Sequence, residues 1–152
     1  MTTWLTPAEA GAWRGYRRMR ALLDLRLGRD LAADSGLSEP DYDVLSHLSE
    51  TPDRRIRLGD LAAHMLWSRS RLSHHLARMQ QRGLVEREDC ADDGRGSVVT
   101  LSAQGWAVLV EAAPHHVASV RRNFIDLLTP DEIAALDALS HRVVQRLAET
   151  GR

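Results

Sequence analysis

Lysine is absent from this chain of 152 residues, so all 20 of its basic residues are arginine. Each arginine carries a planar fork suited to phosphates and guanine edges. Cysteine occurs once, at Cys90, which excludes an intrachain disulfide and suits a reducing cytoplasm. No apolar run approaches the roughly 20 residues that span a bilayer. The opening MTTWLTPAEAGAW lacks the basic-then-apolar layout of a secretory signal. A soluble cytoplasmic protein with no membrane partner is therefore expected. Phosphate-binding loop, dinucleotide fingerprint, nucleophile elbow and HExxH are all missing, so an enzyme is not expected. Internal repeats, low-complexity tracts and flexible linkers are missing too, which favours one domain.

What is present is ordinary in amount and uneven in placement. With 43% apolar and 27% charged residues the chain can bury a core, and its formal net charge is −1. Yet SRSRLSHHLARMQQRGLV, residues 68–85, holds charges of one sign only: Arg69, Arg71, Arg78 and Arg82. No Asp or Glu occurs from Leu61 through Val85. A nearly neutral protein keeps one helix-sized stretch purely basic.

Caps and periodicity place the elements around it. Thr6-Pro7-Ala8-Glu9 and Thr129-Pro130-Asp131-Glu132 share one layout, with Thr as N-cap, Pro first in the helix and Glu closing a capping box. The first opens a long helix over 6–33, and the second opens one with Ile133, Leu136, Leu139, Val143 and Leu147 on one face. Ser38 caps a short helix with Tyr42, Leu45 and Leu48, and Ile56-Arg57-Leu58 reads as a brief strand or connector. Another short helix covers Leu58 to Leu66. Ser68 then caps the basic helix, which has Leu72, Leu76 and Met79 as its buried stripe and stops at Gly83. From Leu84 the period falls to two: residues 84–88 and 97–101 are strands around the turn DCADDGRG. Ser102 caps a last long helix to about Leu128, with a kink expected at Pro114.

The expected fold is therefore mainly α (α+β), a winged helix-turn-helix with a two-stranded wing and flanking long helices. The DNA-binding lobe would be 38–101, with a recognition helix over 68–82 and a wing over 84–101. In such a unit the second helix enters the major groove by its N-terminal end. With Leu72, Leu76 and Met79 facing inward, Arg69, Ser70, Ser73 and His74 project outward as candidate base contacts. Arg69 is the first choice for a bidentate guanine contact and Arg71 the second. His75, Arg78 and Arg82 are candidate phosphate contacts. At the wing tip Arg95, braced by Asp93, is the candidate for the minor groove. Double-stranded DNA is thus the expected partner.

Over nearly its full length the chain resembles the MarR family of winged-helix transcription regulators. The resemblance is carried by RLGDLAAHMLWSRSRLSHHLARMQQRGLVERE, by Asp93-x-Arg95, by VVTLSAQG and by LTPDEIAAL. It implies a homodimer held by helix 6–33 and the helices of 102–152, with recognition helices about one DNA turn apart on a palindromic operator. It further implies a repressor, in many relatives released by a small aromatic ligand bound between the dimer helices and the DNA-binding lobe. Trp13, Tyr16, Met19, Arg20, Trp67 and Trp106 are the candidates for that pocket, although an aromatic stripe is more often core or dimer interface. The family's wing often has paired arginines, whereas Gly94 stands at the first position here and acids crowd the turn, leaving Arg95 to act alone.

Other readings weigh less. Asp89 and Asp92 flank Cys90 and disfavour its thiolate, so redox sensing is not expected. Neighbouring His residues on a helix point about 100° apart, and the seven histidines show no metal-ligand spacing, so neither a metal site nor a cofactor is expected. The alternative function is a winged-helix protein-interaction module that does not bind DNA, its acidic wing meeting a basic partner.

Overall fold

A computed structural model of the chain describes residues 3–89 and 96–150. Six helices and three strands follow in the order α1 (Pro7–Ser35), α2 (Glu39–Glu50), β1 (Arg55–Arg57), α3 (Leu58–Met65), α4 (Arg69–Gln81), β2 (Val85–Asp89), β3 (Ser97–Leu101), α5 (Ala103–Asn123) and α6 (Pro130–Thr150). The caps act as the sequence indicates. Glu9 accepts from the Thr6 amide at 2.7 Å, Glu132 accepts from the Thr129 amide at 2.8 Å, and each Thr hydroxyl accepts from its Glu amide in return. Among the described residues no helix is long and apolar enough to cross a membrane.

The chain divides into two compact units, Met1–Arg26 with Val117–Arg152, and Leu27–His116. The second unit holds the core. Leu45 and Leu48 of α2, Leu61 of α3, Leu72, Leu76 and Met79 of α4, and Val99 of β3 are all fully buried there. Antiparallel pairing orders its sheet β1-β3-β2, with Ile56 opposite Val99 and Arg87 also opposite Val99 on the other side. The wing therefore has a third strand, because residues 55–57 pair with β3 instead of serving as a mere connector. The first unit is different. Among its described residues every apolar side chain is exposed or half-buried, and only Ser119 is buried.

α5 passes through Pro114 and ends at Asn123, earlier than expected. A short 3-10 turn, Ile125–Leu127, then leads to α6. Near its start α5 lies hard against the strand entry. A Cβ on Gly105 would collide with the Leu84 carbonyl and the Leu101 side chain. Ser102 strengthens this junction, donating to the Gly83 carbonyl at 2.6 Å and accepting from the Gly105 amide at 2.9 Å. Gly105→Ala should therefore lower unfolding free energy by about 1–3 kcal/mol, the usual range for overpacking. Chemical denaturation of the purified variant checks it, and a wild-type midpoint would contradict the close approach.

Candidate nucleic-acid interface

α3, a three-residue turn and α4 form the helix-turn-helix. Ser68 caps α4 by accepting from the Arg71 amide at 3.1 Å. Leu72, His75, Leu76 and Met79 share the buried face, following the i, i+3, i+4, i+7 rhythm of an amphipathic helix. Arg69, Ser70, Arg71, His74 and Arg78 are exposed on the remainder. The Arg71 guanidinium lies 3.8 Å from the Trp67 ring centre, and the His75 ring meets the same indole edge-on at 5.6 Å. Trp67 thus sits between an exposed cation and a buried imidazole.

His75 corrects the sequence reading. Placed there among phosphate contacts, it is buried instead, because residue 75 falls inside the stripe that begins at Leu72. Its Nδ1 accepts from the Arg78 guanidinium at 3.1 Å. An arginine can only donate, so the ring proton sits on Nε2. That atom lies 2.9 Å from Asp41 Oδ1, an electrostatic contact that falls short of an aligned hydrogen bond. Arg82, also expected on phosphates, stays exposed but commits two of its donors to protein groups. It gives one to Asp41 Oδ2 at 2.7 Å and one to the Gly36 carbonyl at 3.3 Å.

Asp41 is the centre of this arrangement, and the sequence reading passed over it. It is buried at the third position of α2, where its carboxylate accepts from the Ser38 amide while Ser38 accepts from its own amide. Burial would raise its pKa, but the Arg82 guanidinium and the Ser38 groups outweigh that and hold it below the ordinary carboxylate value. For His75, burial pushes the pKa down, Asp41 pulls it up, and the neighbouring Arg78 and Arg82 push it down again. The net direction is below the ordinary imidazole value.

A second clamp joins α4 to the wing. Arg87 of β2 donates to the Ser97 hydroxyl of β3 at 3.1 Å and to the Ser73 hydroxyl at 3.2 Å. Ser73, a candidate base contact, is therefore already engaged. Period two in β2 puts Arg87 on the same face as buried Val85, which was the available signal for its inward role. Between α4 and the strands lies a groove of about 440 Å³ lined by Arg69, Ser70, Ser73, Arg87 and Ser97, with Asp89 as its acid.

The wing-tip pair Arg95 and Asp93, and Cys90, lie outside the described residues. The aromatic-pocket candidates separate. Trp13, Tyr16, Met19 and Arg20 belong to the first unit, and Trp67 and Trp106 to the second. The faces of the latter two already carry guanidinium groups, Arg71 on Trp67 and Arg54 on Trp106 at 3.7 Å. The first unit has its own apolar hollow of about 350 Å³, in which Met19 lines the wall with Leu23, Arg26, Phe124, Leu127 and Leu128. Among the described residues no group of three His, Cys, Asp or Glu is placed to hold a metal ion.

Comparison with known proteins gives a consistent picture. A profile of the MarR family matches residues 35–96. The transcriptional regulator HosA of Escherichia coli O127:H6 (strain E2348/69 / EPEC) is 31% identical over 120 residues, covering 78% of this chain and 86% of that protein. The crystal structure of AbsC, a MarR family transcriptional regulator from Streptomyces coelicolor, is 42% identical with a TM-score of 0.91, covering 97% of this chain and 99% of that one. Sco3205, a MarR family transcriptional regulator from the same organism solved in complex with DNA, is 39% identical with a TM-score of 0.92, covering 97% of this chain and 92% of that one.

The His75 environment makes stability depend on pH. Its folded pKa is depressed, so the unfolded chain binds the proton more readily. The contribution is fully favourable above the unfolded value of about 6.5 and is lost as pH falls below it toward the folded value. The wild-type urea midpoint should fall between pH 7.5 and pH 5.5, and fall less in His75→Gln. Equal losses in the two proteins would remove His75 as the cause.

Proposed function

The chain belongs to the MarR family of transcriptional regulators, and from that premise we propose that it is a homodimeric repressor of a palindromic DNA operator, acting in the cytoplasm. The observation that carries this is the outward face of α4, where Arg69, Ser70, Arg71 and His74 stand exposed with no acid on the helix. Arg69 and Arg71 read guanine edges from the N-terminal end of the helix, Ser70 and His74 supply further base contacts, and Arg78 meets phosphate. Arg71 reaches the groove already oriented by Trp67, which lowers the ordering cost of its contact. Ser73 contributes by fixing the wing through Arg87.

Dimerisation falls to the first unit. Val143, Val144 and Leu147 of α6 and Trp13, Leu22 and Leu25 of α1 are each about half exposed or more. An isolated amphipathic helix gains little without an apolar neighbour, so these faces call for a second copy. The aromatic effector is assigned to the hollow beside Met19, whose mostly apolar wall, with Asn123 and Arg26 at it, suits a small aromatic molecule.

Two experiments test this reading. Selection from a random duplex library should return a palindrome for the wild type and a consensus relaxed at one base for Arg69→Ala, a loss of about 1–3 kcal/mol at that position. With some 8 phosphates contacted by a dimer, log K should fall with log salt at a slope of about −7, and a slope near zero contradicts the mechanism. Separately, Val144→Glu with Leu147→Glu should shift the sedimenting species from dimer to monomer. An unchanged dimer would move the interface elsewhere.

A further inference from the structure

Leu66 ends α3 in the left-handed region, at φ 56° and ψ 36°, with its amide donating back to the last turn of the helix. Glycine is the usual occupant of such a position, and a Cβ there is penalised. Among the described residues the other non-glycine ones with positive φ are Asp53 and Arg54, and Arg54 is held by stacking on Trp106. Leu66 is held by helix termination, its amide donating to the Ala63 carbonyl at 3.2 Å and the Trp67 amide to the Ala62 carbonyl at 2.9 Å, bonds that hold its backbone and not its side chain. Its side chain is 92% exposed, the most exposed large apolar side chain among the described residues. Its neighbours Met65 and Trp67 both pack on the core. A strained backbone and a wholly exposed isobutyl group thus coincide in the turn of the helix-turn-helix, two residues before the cap of α4. Such a conformation persists because the surrounding bonds over-determine it, and it fixes the isobutyl group in solvent at this corner.

We propose that Leu66 is an apolar DNA contact, pressed against deoxyribose carbon or a thymine methyl as the N-terminal end of α4 enters the major groove. The turn that delivers α4 to the duplex carries the side chain with it, so the strain keeps an apolar group at the edge of an otherwise cationic face. Water leaves both surfaces on contact, and no counterion is released. The inference rests on the DNA-binding reading above and adds to it a residue that discriminates by shape and methyl groups instead of charge.

The test compares wild type, Leu66→Gly and Leu66→Met by anisotropy titration of the selected operator across a salt series, with thermal unfolding of each protein. Leu66→Gly should keep or raise the thermal midpoint because it relieves the left-handed strain. It should also bind each half-site about three- to tenfold more weakly, at an unchanged salt slope, since no phosphate contact is lost. Leu66→Met should bind like the wild type. An operator with deoxyuridine in place of thymidine separates the two contacts. If it reproduces the loss, a thymine methyl is touched; if it does not, the contact is to deoxyribose. Wild-type affinity in Leu66→Gly overturns the inference. So does a loss that comes with a lower midpoint or a shallower salt slope, because the turn then acts through folding or phosphate contacts. Failure of the wild type to bind any duplex overturns the DNA reading itself and is distinguishable, since it precedes every variant.

Discussion

One buried carboxylate organises the second unit. Asp41 gives one oxygen to the Arg82 guanidinium and the other to the His75 ring, while the Ser38 amide also donates to it. Through Arg82 the same cluster reaches the Gly36 carbonyl at the corner between α1 and α2. Apolar packing of Leu72, Leu76 and Met79 would hold α4 against the core, but it is tolerant of sliding and rotation. The directional bond from Arg82 to a fixed carboxylate, with the His75 ring held close to its other oxygen, is not. Taking the Asp41 carboxylate out of water is costly, and its partner Arg82 stays exposed, so the pair is weak evidence of net stability. What Asp41 supplies is the rotational setting of α4, and hence which side chains face outward.

The other end of α4 is set by a guanidinium bonded to neutral hydroxyls. Arg87 spans from Ser97 on β3 to Ser73 on the helix, so one side chain ties β2 and β3 to α4. The two clamps divide the arginines by task. Arg87 and two donors of Arg82 are committed to protein partners, and Arg69 and Arg71 stay exposed. This explains how a chain of net charge −1 presents a basic face. Its acids are placed on other elements, such as Glu86 and Glu88 on β2, or buried as Asp41 is. A field confined to one helix end favours a phosphate backbone without attracting every polyanion equally.

Much of this was legible in the sequence, and the misses have physical causes. The capping boxes at Thr6 and Thr129, the α4 stripe and the drop to period two after Gly83 are local signals, and local bonds realise them. His75 was misplaced although its position fits the stripe, because a polar residue is read outward by default. The partner that makes its burial tolerable, Asp41, lies 34 residues away and belongs to another helix. Arg87 was passed over for the same reason, since its inward role depends on hydroxyls from α4 and β3. Residues 55–57 were ambiguous because a three-residue strand has too little alternation to read without its partner β3. Leu66 was invisible to pattern: nothing in the sequence marks a leucine that takes a glycine's backbone and stays in solvent.

The first unit imposes the remaining constraint. Its helices carry apolar faces, yet among its described residues only a serine is buried. A face such as that of Ile133, Leu139, Val143 and Leu147 gains its stability from whatever covers it, because helical stability in proteins comes mostly from packing an amphipathic face rather than from propensity. A second copy is the economical cover, since a two-fold axis lets one face meet itself and closes the assembly. The same axis matters for the proposed reading of DNA. One α4 offers only a handful of base-reaching side chains, too few to single out an operator among a genome's competing sites. Two helices fixed by a common axis must both match, so their discrimination multiplies while each keeps modest affinity. The incompletely buried first unit and the small recognition face of the second are therefore two halves of one requirement, and the proposed dimer meets both.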